Sequence, residues 1–293
     1  MASKSLSLSA ALLTPVTRSG SLDAEALRKN VEFVLAAGVE GICVNGATGE
    51  YPRWGRDVRE AAAETARDAL DGRGRLIVGI GAVSLAESIA LGQHALDHGA
   101  DLLLLPPPHY FRYEPEDIGA FYHAAAHSLD GEILIYNLPV FTNPVEAGWT
   151  ARLVAEVPNI TGAKDSSGSL ASLTALERVG APVRWMGHDS EITRALSLGV
   201  ANGAISGVAG VFPETLRLLL DAHRDGSDPA EADAALQEIV KQISVLPTPW
   251  ALKQLAECRG LCATTDYASA VSRQRRKQLD DLKRWFEDWA ERH

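Results

Sequence analysis

The run His98-Gly99-Ala100-Asp101-Leu102-Leu103-Leu104-Leu105-Pro106 carries the repeating unit of this chain in miniature. A glycine ends a helical pattern, a polar residue follows, and four leucines run on until a proline stops them. Glycine just past a helix takes up the left-handed conformation that closes it. An unbroken apolar run suits a parallel strand, which is covered on both faces. The same junction recurs at Ala37-Gly38-Val39-Glu40-Gly41 and at Leu198-Gly199-Val200-Ala201-Asn202-Gly203.

Working outward, β-rich runs fall at Leu6–Leu13, Gly41–Val44, Leu76–Ile80, Leu102–Leu105, Ile133–Tyr136, Thr161–Lys164, Arg184–Met186 and Gly203–Ser206. Amphipathic segments separate them. Asp23–Ala37 spaces Leu27, Val31 and Val34 on one face, and Leu85–His98 does the same with Ile89, Leu91 and Ala95. Repeated βα units without a linker predict one α/β domain over residues 1–293. Residues 1–210 read as a closed TIM (β/α)₈ barrel, and 211–293 as its last helix plus a helical extension. An open doubly wound sheet is the alternative, but no Gly-x-Gly-x-x-Gly follows the first strand to make it dinucleotide-binding. In the extension, helices are expected at Pro213–Arg224, Pro229–Val245, Trp250–Cys258 and Ala268–Arg292, capping the barrel or forming a subunit contact. Trp285 and Trp289, one turn apart, read as packing residues.

The formal net charge of −10 argues against nucleic acid or an anionic membrane as partner. An anionic substrate must then be held by local dipoles or a single placed cation. No apolar stretch at Met1–Ser9 suits a signal peptide, and no run is long enough to span a bilayer. Three cysteines (Cys43, Cys258, Cys262) fit a reduced, cytoplasmic protein. Cys258 and Cys262 could bind zinc, but two cysteines on a helix face are the simpler reading.

In such barrels chemistry sits at the C-terminal ends of the strands. Of seven lysines, only Lys164 ends a strand; the others fall at the terminus or in helical, polar segments. Desolvation disfavours a charged ammonium, and a free amine there could attack a ketone to form an iminium, an electron sink for breaking the adjacent C–C bond. The alternative is a lysine paired with Asp165 or reaching to the rim, and position alone does not decide. Tyr136, one strand earlier, could shuttle protons or merely pack against a loop. The tight turn Gly46-Ala47-Thr48-Gly49 could offer backbone N–H groups to a carboxylate, as helix N-termini do. His109 and His188 end different strands, which leaves no clustered metal set.

Taken together, Gly46-x-Thr48-Gly49-Glu50, Tyr136-Asn137-x-Pro139 and Gly162-x-Lys164-Asp165-Ser166-Ser167-Gly168 resemble the dihydrodipicolinate synthase/N-acetylneuraminate lyase family of pyruvate-dependent aldolases. The resemblance runs from Leu13-Thr14-Pro15 to Gly203-Ala204-Ile205-Ser206. It implies a class I lyase in which Lys164 forms an imine with pyruvate and Tyr136 shuttles protons, with no other cofactor. It implies that Thr48 binds the pyruvate carboxylate, that Ile205 lines the pyruvate pocket through its backbone, and that Gly187 helps place the second substrate. Tyr110 falls where the family has a tyrosine reaching into a neighbouring subunit's site. A homotetramer, a dimer of dimers, is implied too.

Three departures bear on the aldehyde partner. The synthases have two threonines in the Gly-rich loop, and Ala47 replaces the first, which breaks a tyrosine–threonine–tyrosine proton relay. Phe141 stands where the synthases carry an arginine for the aldehyde's carboxylate, and a ring cannot replace a guanidinium fork. In the sialic acid lyases an acidic residue follows the aspartate of the seventh-strand loop; here Ser190 follows Asp189, and Glu191 comes next. A 2-keto-3-deoxy sugar acid aldolase fits better, with Ser166, Asp189 and Ser206 meeting hydroxyls. Alternatives are 4-hydroxy-tetrahydrodipicolinate synthase, a dehydratase or sialic-acid-type lyase, and a non-catalytic 2-oxo-acid sensor.

Overall fold

The computed structural model describes residues 6–261, 267 and 269–292. Cys262, Ala268 and the first five residues of the N-terminal segment lie outside the described residues. Eight parallel strands close into a barrel in sequence order, with the first pairing the last. They are β1 (Ser7–Ala11), β2 (Gly41–Val44), β3 (Arg75–Gly79), β4 (Leu102–Leu105), β5 (Ile133–Asn137), β6 (Ile160–Asp165), β7 (Val183–Met186) and β8 (Gly203–Ser206). Closure rules out the open-sheet alternative. The barrel helices are α1 (Ala24–Ala36), α2 (Arg56–Leu70), α3 (Leu85–Asp97), α4 (Pro115–Ser128), α5 (Ala147–Glu156), α6 (Ala171–Arg178), α7 (Ile192–Ser197) and α8 (Pro213–Asp225). Beyond them lie α9 (Ala230–Ile243), α10 (Trp250–Cys258) and α11 (Arg273–Arg292). Each strand run is found to within two residues of its expected ends; α11 starts later than expected.

The three glycine junctions behave as expected. Gly38, Gly99 and Gly199 have φ of 80°, 79° and 71°. The polar residue after each has a second task. The carboxylates of Glu40 and Asp101 and the side-chain oxygen of Asn202 accept from the backbone N–H groups of Leu8, Leu76 and Arg184 at 2.8, 2.7 and 2.9 Å. These strand-start donors are thereby satisfied.

Two apolar layers form. Alternate strand residues such as Leu103, Leu105, Ile133 and Ile135 pack under the helices. The others fill the barrel: Ala11, Cys43, Ile77, Leu102, Leu104, Leu134, Tyr136, Leu138, Trp185 and Ile205. The alternation breaks once, in β6. Ile133 pairs with Ile160 but Leu134 with Gly162, so Thr161 is an extra residue, a β-bulge. Because side chains alternate with period two, one extra residue swaps the faces of everything after it. Ile160 and Ala163 therefore both face the helices, and Lys164 turns into the barrel. Gly162 is tightly held at the bulge: a Cβ there would lie 1.8 Å from the Val183 carbonyl oxygen.

The extension is anchored by an aromatic cluster. Buried Phe212 meets Phe286 and Trp289 edge-on, at 6.1 and 4.9 Å between ring centres. Trp289 is buried and Trp285 donates to Glu238 at 3.0 Å, so both pack as expected. Cys258 is half-buried at the end of α10.

Since a backbone carbonyl cannot yield as a flexible side chain can, Gly162→Ala should lower unfolding stability by at least about 3 kcal/mol. A shift of the urea midpoint, with soluble protein judged by circular dichroism, measures it.

Candidate active site

Lys164 and Tyr136 are register partners on β6 and β5. Both are buried, and Lys164 Nζ donates to Tyr136 Oη at 3.3 Å. Lys164 is not bound up with its neighbour Asp165. That fully buried carboxylate instead accepts from Asn137 Nδ2 at 2.8 Å, from the Ser167 N–H at 2.8 Å and from Ser167 Oγ at 2.5 Å. Asn137 Oδ1 accepts in turn from the Val145 N–H at 3.0 Å. The ends of β5 and β6 and the loops after them are thus locked together around the amine.

A cavity of about 360 Å³ opens over Lys164. Of the expected site residues it gathers Lys164, Tyr136, Ala47, Thr48, Phe141, Ser166, Gly187 and Asp189. Ile205 lies deeper, packed in the barrel with Tyr136 and Trp185, and does not line the cavity. Tyr110 lies outside it as well: 87% exposed, with φ of 78°, it projects from the loop between β4 and α4. Asn143 braces that loop by donating to the carbonyls of Pro108 and Phe111 at 2.6 and 2.8 Å.

The Gly-rich turn is built by left-handed residues at both ends, Asn45 (φ 56°) and Glu50 (φ 54°). Thr14 Oγ1 and Trp54 Nε1 donate to the Gly49 carbonyl at 2.9 and 2.8 Å, which fixes the turn below Thr48. Ser166 Oγ is buried with no hydrogen-bond partner, a free polar atom on the cavity wall. Ser206 Oγ donates to Asp189 Oδ1 and accepts from the Ala209 N–H at 3.0 Å. Burial pushes the Asp189 carboxyl above the usual carboxylate range, against the bond from Ser206 and the nearby Lys164 charge. Burial also pushes the Cys43 thiol, beneath the cavity, up to about 11 despite Lys164. Phe141, 54% exposed, forms the outer wall with Val140. Glu191 pairs with Arg194 at 3.3 Å, and Ser190 Oγ bonds His188 Nδ1 at 2.9 Å.

Several contributors escaped the sequence reading. Lys253 was expected on a polar helical surface. It is instead 5% exposed and forms a buried ion pair with Glu50, tying α10 to the Gly-rich turn. Val240, Ile243, Leu246, Pro247 and Leu252 from α9, α10 and their connection roof the cavity. Buried Arg59 donates to the carbonyls of Gly81 and Gly79 at 2.9 and 3.0 Å. It lies over the ring of Tyr51, whose phenol is raised by burial and by the nearby Tyr136. No periodicity marks these side chains, because their partners come from distant segments.

A buried amine beside a phenol, under a cavity with free hydrogen-bonding groups, can carry out carbonyl addition and proton transfer. The sequence model of the Dihydrodipicolinate synthetase family matches residues 4–285. The chain belongs to that family. Members of the Dihydrodipicolinate synthetase family are lyases acting through a lysine Schiff base with pyruvate, and this chain is a class I aldolase of that kind. It is 30% identical over 258 residues to the probable 2-dehydro-3-deoxy-D-pentonate aldolase YjhH of Escherichia coli (strain K12), covering 85% of each chain. It is 32% identical over 259 residues to the 4-hydroxy-tetrahydrodipicolinate synthase of Symbiobacterium thermophilum (strain DSM 24528 / JCM 14929 / IAM 14863 / T), covering 87% of this chain and 82% of that one. The crystal structure of dihydrodipicolinate synthase from Aquifex aeolicus superposes with a TM-score of 0.91 at 26% identity, covering 97% of this chain and 98% of that one.

Gly187 gives the sharpest test of the site's packing. A Cβ there would stand 2.6 Å from Lys164 Cε and 2.2 Å from Ser166 Oγ. Displacing a reacting group by about 1 Å can cost roughly a hundredfold in rate, so Gly187→Ala should lower kcat/KM by about that much or more. Gly148→Ala, in α5 with nothing within 4 Å, is the matched control and should leave kcat/KM unchanged.

Proposed function

We propose that this aldolase reversibly cleaves a 2-keto-3-deoxy sugar acid, such as 2-keto-3-deoxygluconate, to pyruvate and an aldehyde through an imine at Lys164. The observation that carries the reading is the cavity's charge pattern. Among the described lining residues the only Lys or Arg is Lys164 on the floor, and the outer wall at Phe141 is apolar. An aldehyde with hydroxyls suits such a wall; an aldehyde with its own carboxylate would find no cation there.

In the cleavage direction, Lys164 Nζ adds to the C2 carbonyl and water leaves, giving an iminium. Removal of the C4 hydroxyl proton breaks the C3–C4 bond, and its electron pair moves into the iminium to give an enamine. The aldehyde departs, C3 takes a proton, and water releases pyruvate and the free amine. Tyr136, in contact with Nζ, is the proton carrier in this scheme. Thr48 and the N–H groups of its turn hold the substrate carboxylate, and Ser166, Asp189 and Gly187 face the hydroxylated end. The iminium supplies the electron sink, so neither metal nor organic cofactor is invoked.

The exposed pair Tyr110 and Phe111, edge to face at 4.9 Å, supports a subunit contact, and we assign a homotetramer built as a dimer of dimers. No helix among the described residues is long and apolar enough to cross a membrane. Free Cys43 and Cys258 fit a reducing compartment, and cytoplasm is the compartment we propose.

Borohydride with pyruvate should add one reduced pyruvate to the wild-type chain and none to Lys164→Ala, by intact mass. Labelling that persists in Lys164→Ala sinks the assignment. EDTA should leave kcat unchanged.

Specificity is the second test. A missing charge-assisted contact is worth about 1.5–3 kcal/mol, hence roughly ten- to a hundredfold or more in kcat/KM. Glyceraldehyde, or keto-deoxy-gluconate in cleavage, should therefore exceed aspartate semialdehyde by at least about tenfold. Phe141→Arg should narrow the gap. A wild-type preference for aspartate semialdehyde would make the chain a synthase instead.

A further inference from the structure

One cluster of side chains lies apart from the cavity, on the helical layer between α2 and α3. Glu64 sits on α2, His94 in the last turn of α3 and His98 at its C-cap, four residues on. Glu64 Oε1 stands 3.1 Å from His94 Nε2 and 3.7 Å from His98 Nε2. One donor atom from each of the three residues falls within 4.8 Å of the others. Metal–ligand bonds of about 2.0–2.1 Å at tetrahedral angles put neighbouring ligand atoms about 3.3 Å apart. Both measured contacts bracket that edge length.

We propose that Glu64, His94 and His98 form a site for a divalent transition ion, with zinc as the reference metal. Two imidazoles and one carboxylate are the donor set of Zn²⁺, Ni²⁺ or Cu²⁺ rather than of Mg²⁺ or Ca²⁺, which prefer oxygen alone. The spacing, two histidines one helical turn apart, is the one by which a single helix face presents two ring nitrogens to one ion.

Two further observations point to a ligand, and two more describe its surroundings. His98 Nδ1 donates to the His94 carbonyl at 2.8 Å, which in the neutral ring leaves the Nε2 lone pair facing Glu64. His94 Nε2 is shielded from solvent and makes no hydrogen bond, although Glu64 Oε1 is 3.1 Å away. Glu60 Oε1, which accepts from Arg56 Nε at 2.6 Å, lies 3.6 Å from His94 Nδ1, so a carboxylate stands behind that ring. The two rings are stacked, with centroids 4.1 Å apart, side by side along one face of α3.

The backbone is set in advance. The Gly99 and Ala100 N–H groups donate to the Leu96 and Ala95 carbonyls at 3.0 and 2.9 Å, closing α3 around His98. Arg67 of α2 donates to the Gly99 carbonyl at 3.2 Å, which fixes the two helices relative to each other. A cation at the C-terminus of α3 is also favoured by the helix dipole. This end of α3 leads into the start of β4, so the cluster lies at the face of the barrel opposite the Lys164 cavity. Such an ion would clamp α2 to α3 and take no part in the aldol step.

Chelator-treated wild-type protein, titrated with zinc chloride in a calorimeter, should bind one zinc per chain and melt at a higher temperature with zinc than without. Glu64→Gln, His94→Ala and His98→Ala should each weaken that binding at least about a hundredfold, and Glu60→Gln about tenfold or more. All four should keep wild-type kcat/KM, which separates the site from the catalytic cavity and confirms folding. Cys258→Ser should bind zinc like wild type. Absence of binding in excess zinc, or unchanged affinity in His98→Ala, would overturn the proposal.

Discussion

A strand in a barrel shows alternate residues to the inside and to the helices, and β6 breaks that rule once. The extra residue at Thr161 lets Ile160 and Ala163 both pack under the helices while Lys164 enters the barrel beside Tyr136. Regular alternation from Ile160 would have turned Lys164 toward the helix layer, where an amine has no cavity to serve. Much of the site's geometry follows from that shift. Gly162 must lack a side chain because the bulge presses it against Val183, and Gly187 must lack one because the stem of Lys164 passes over it.

Burying an amine costs desolvation energy unless its surroundings compensate. Here the compensation is modest and local: a bond to the Tyr136 phenol, whose ring centre lies 4.4 Å from Nζ. The nearest acidic residue in sequence is kept for another task. Asp165 spends its hydrogen bonds on Asn137 and Ser167, joining two strand ends instead of neutralising the lysine. The amine stays available to a carbonyl, and an acidic protein can still hold an anionic substrate at this one point.

The helices beyond the barrel complete the site. A minimal barrel would leave the mouth open, whereas α9, α10 and their connection cover it with apolar side chains. The buried ion pair between Glu50 and Lys253 joins this roof to the turn that carries Thr48. Arg53 also pairs with Glu50 at 3.6 Å, but only the Lys253 pair reaches across to α10, so it is this contact that couples roof and turn. At the other end, Phe212, Phe286 and Trp289 hold α11 against α8.

The sequence alone determined the barrel, because unbroken apolar runs and helix-closing glycines are local signals repeated along the chain. It also put Lys164, Tyr136 and the Gly46–Gly49 turn at one mouth, where barrel topology brings every strand end, and the family resemblance of their motifs picked out Lys164, Tyr136 and Thr48. The tertiary structure decided the rest. Whether Lys164 faced the cavity or the helices hung on a single bulged residue, and a strand pattern four residues long carries no such phase. Lys253 reads as a surface lysine until Glu50 meets it from more than two hundred residues away. The Ile205 side chain packs in the barrel core, and Tyr110 stands exposed on the loop between β4 and α4. Burial and pairing at these positions depend on which distant segments converge, and that is a property of the closed barrel, not of any stretch of chain.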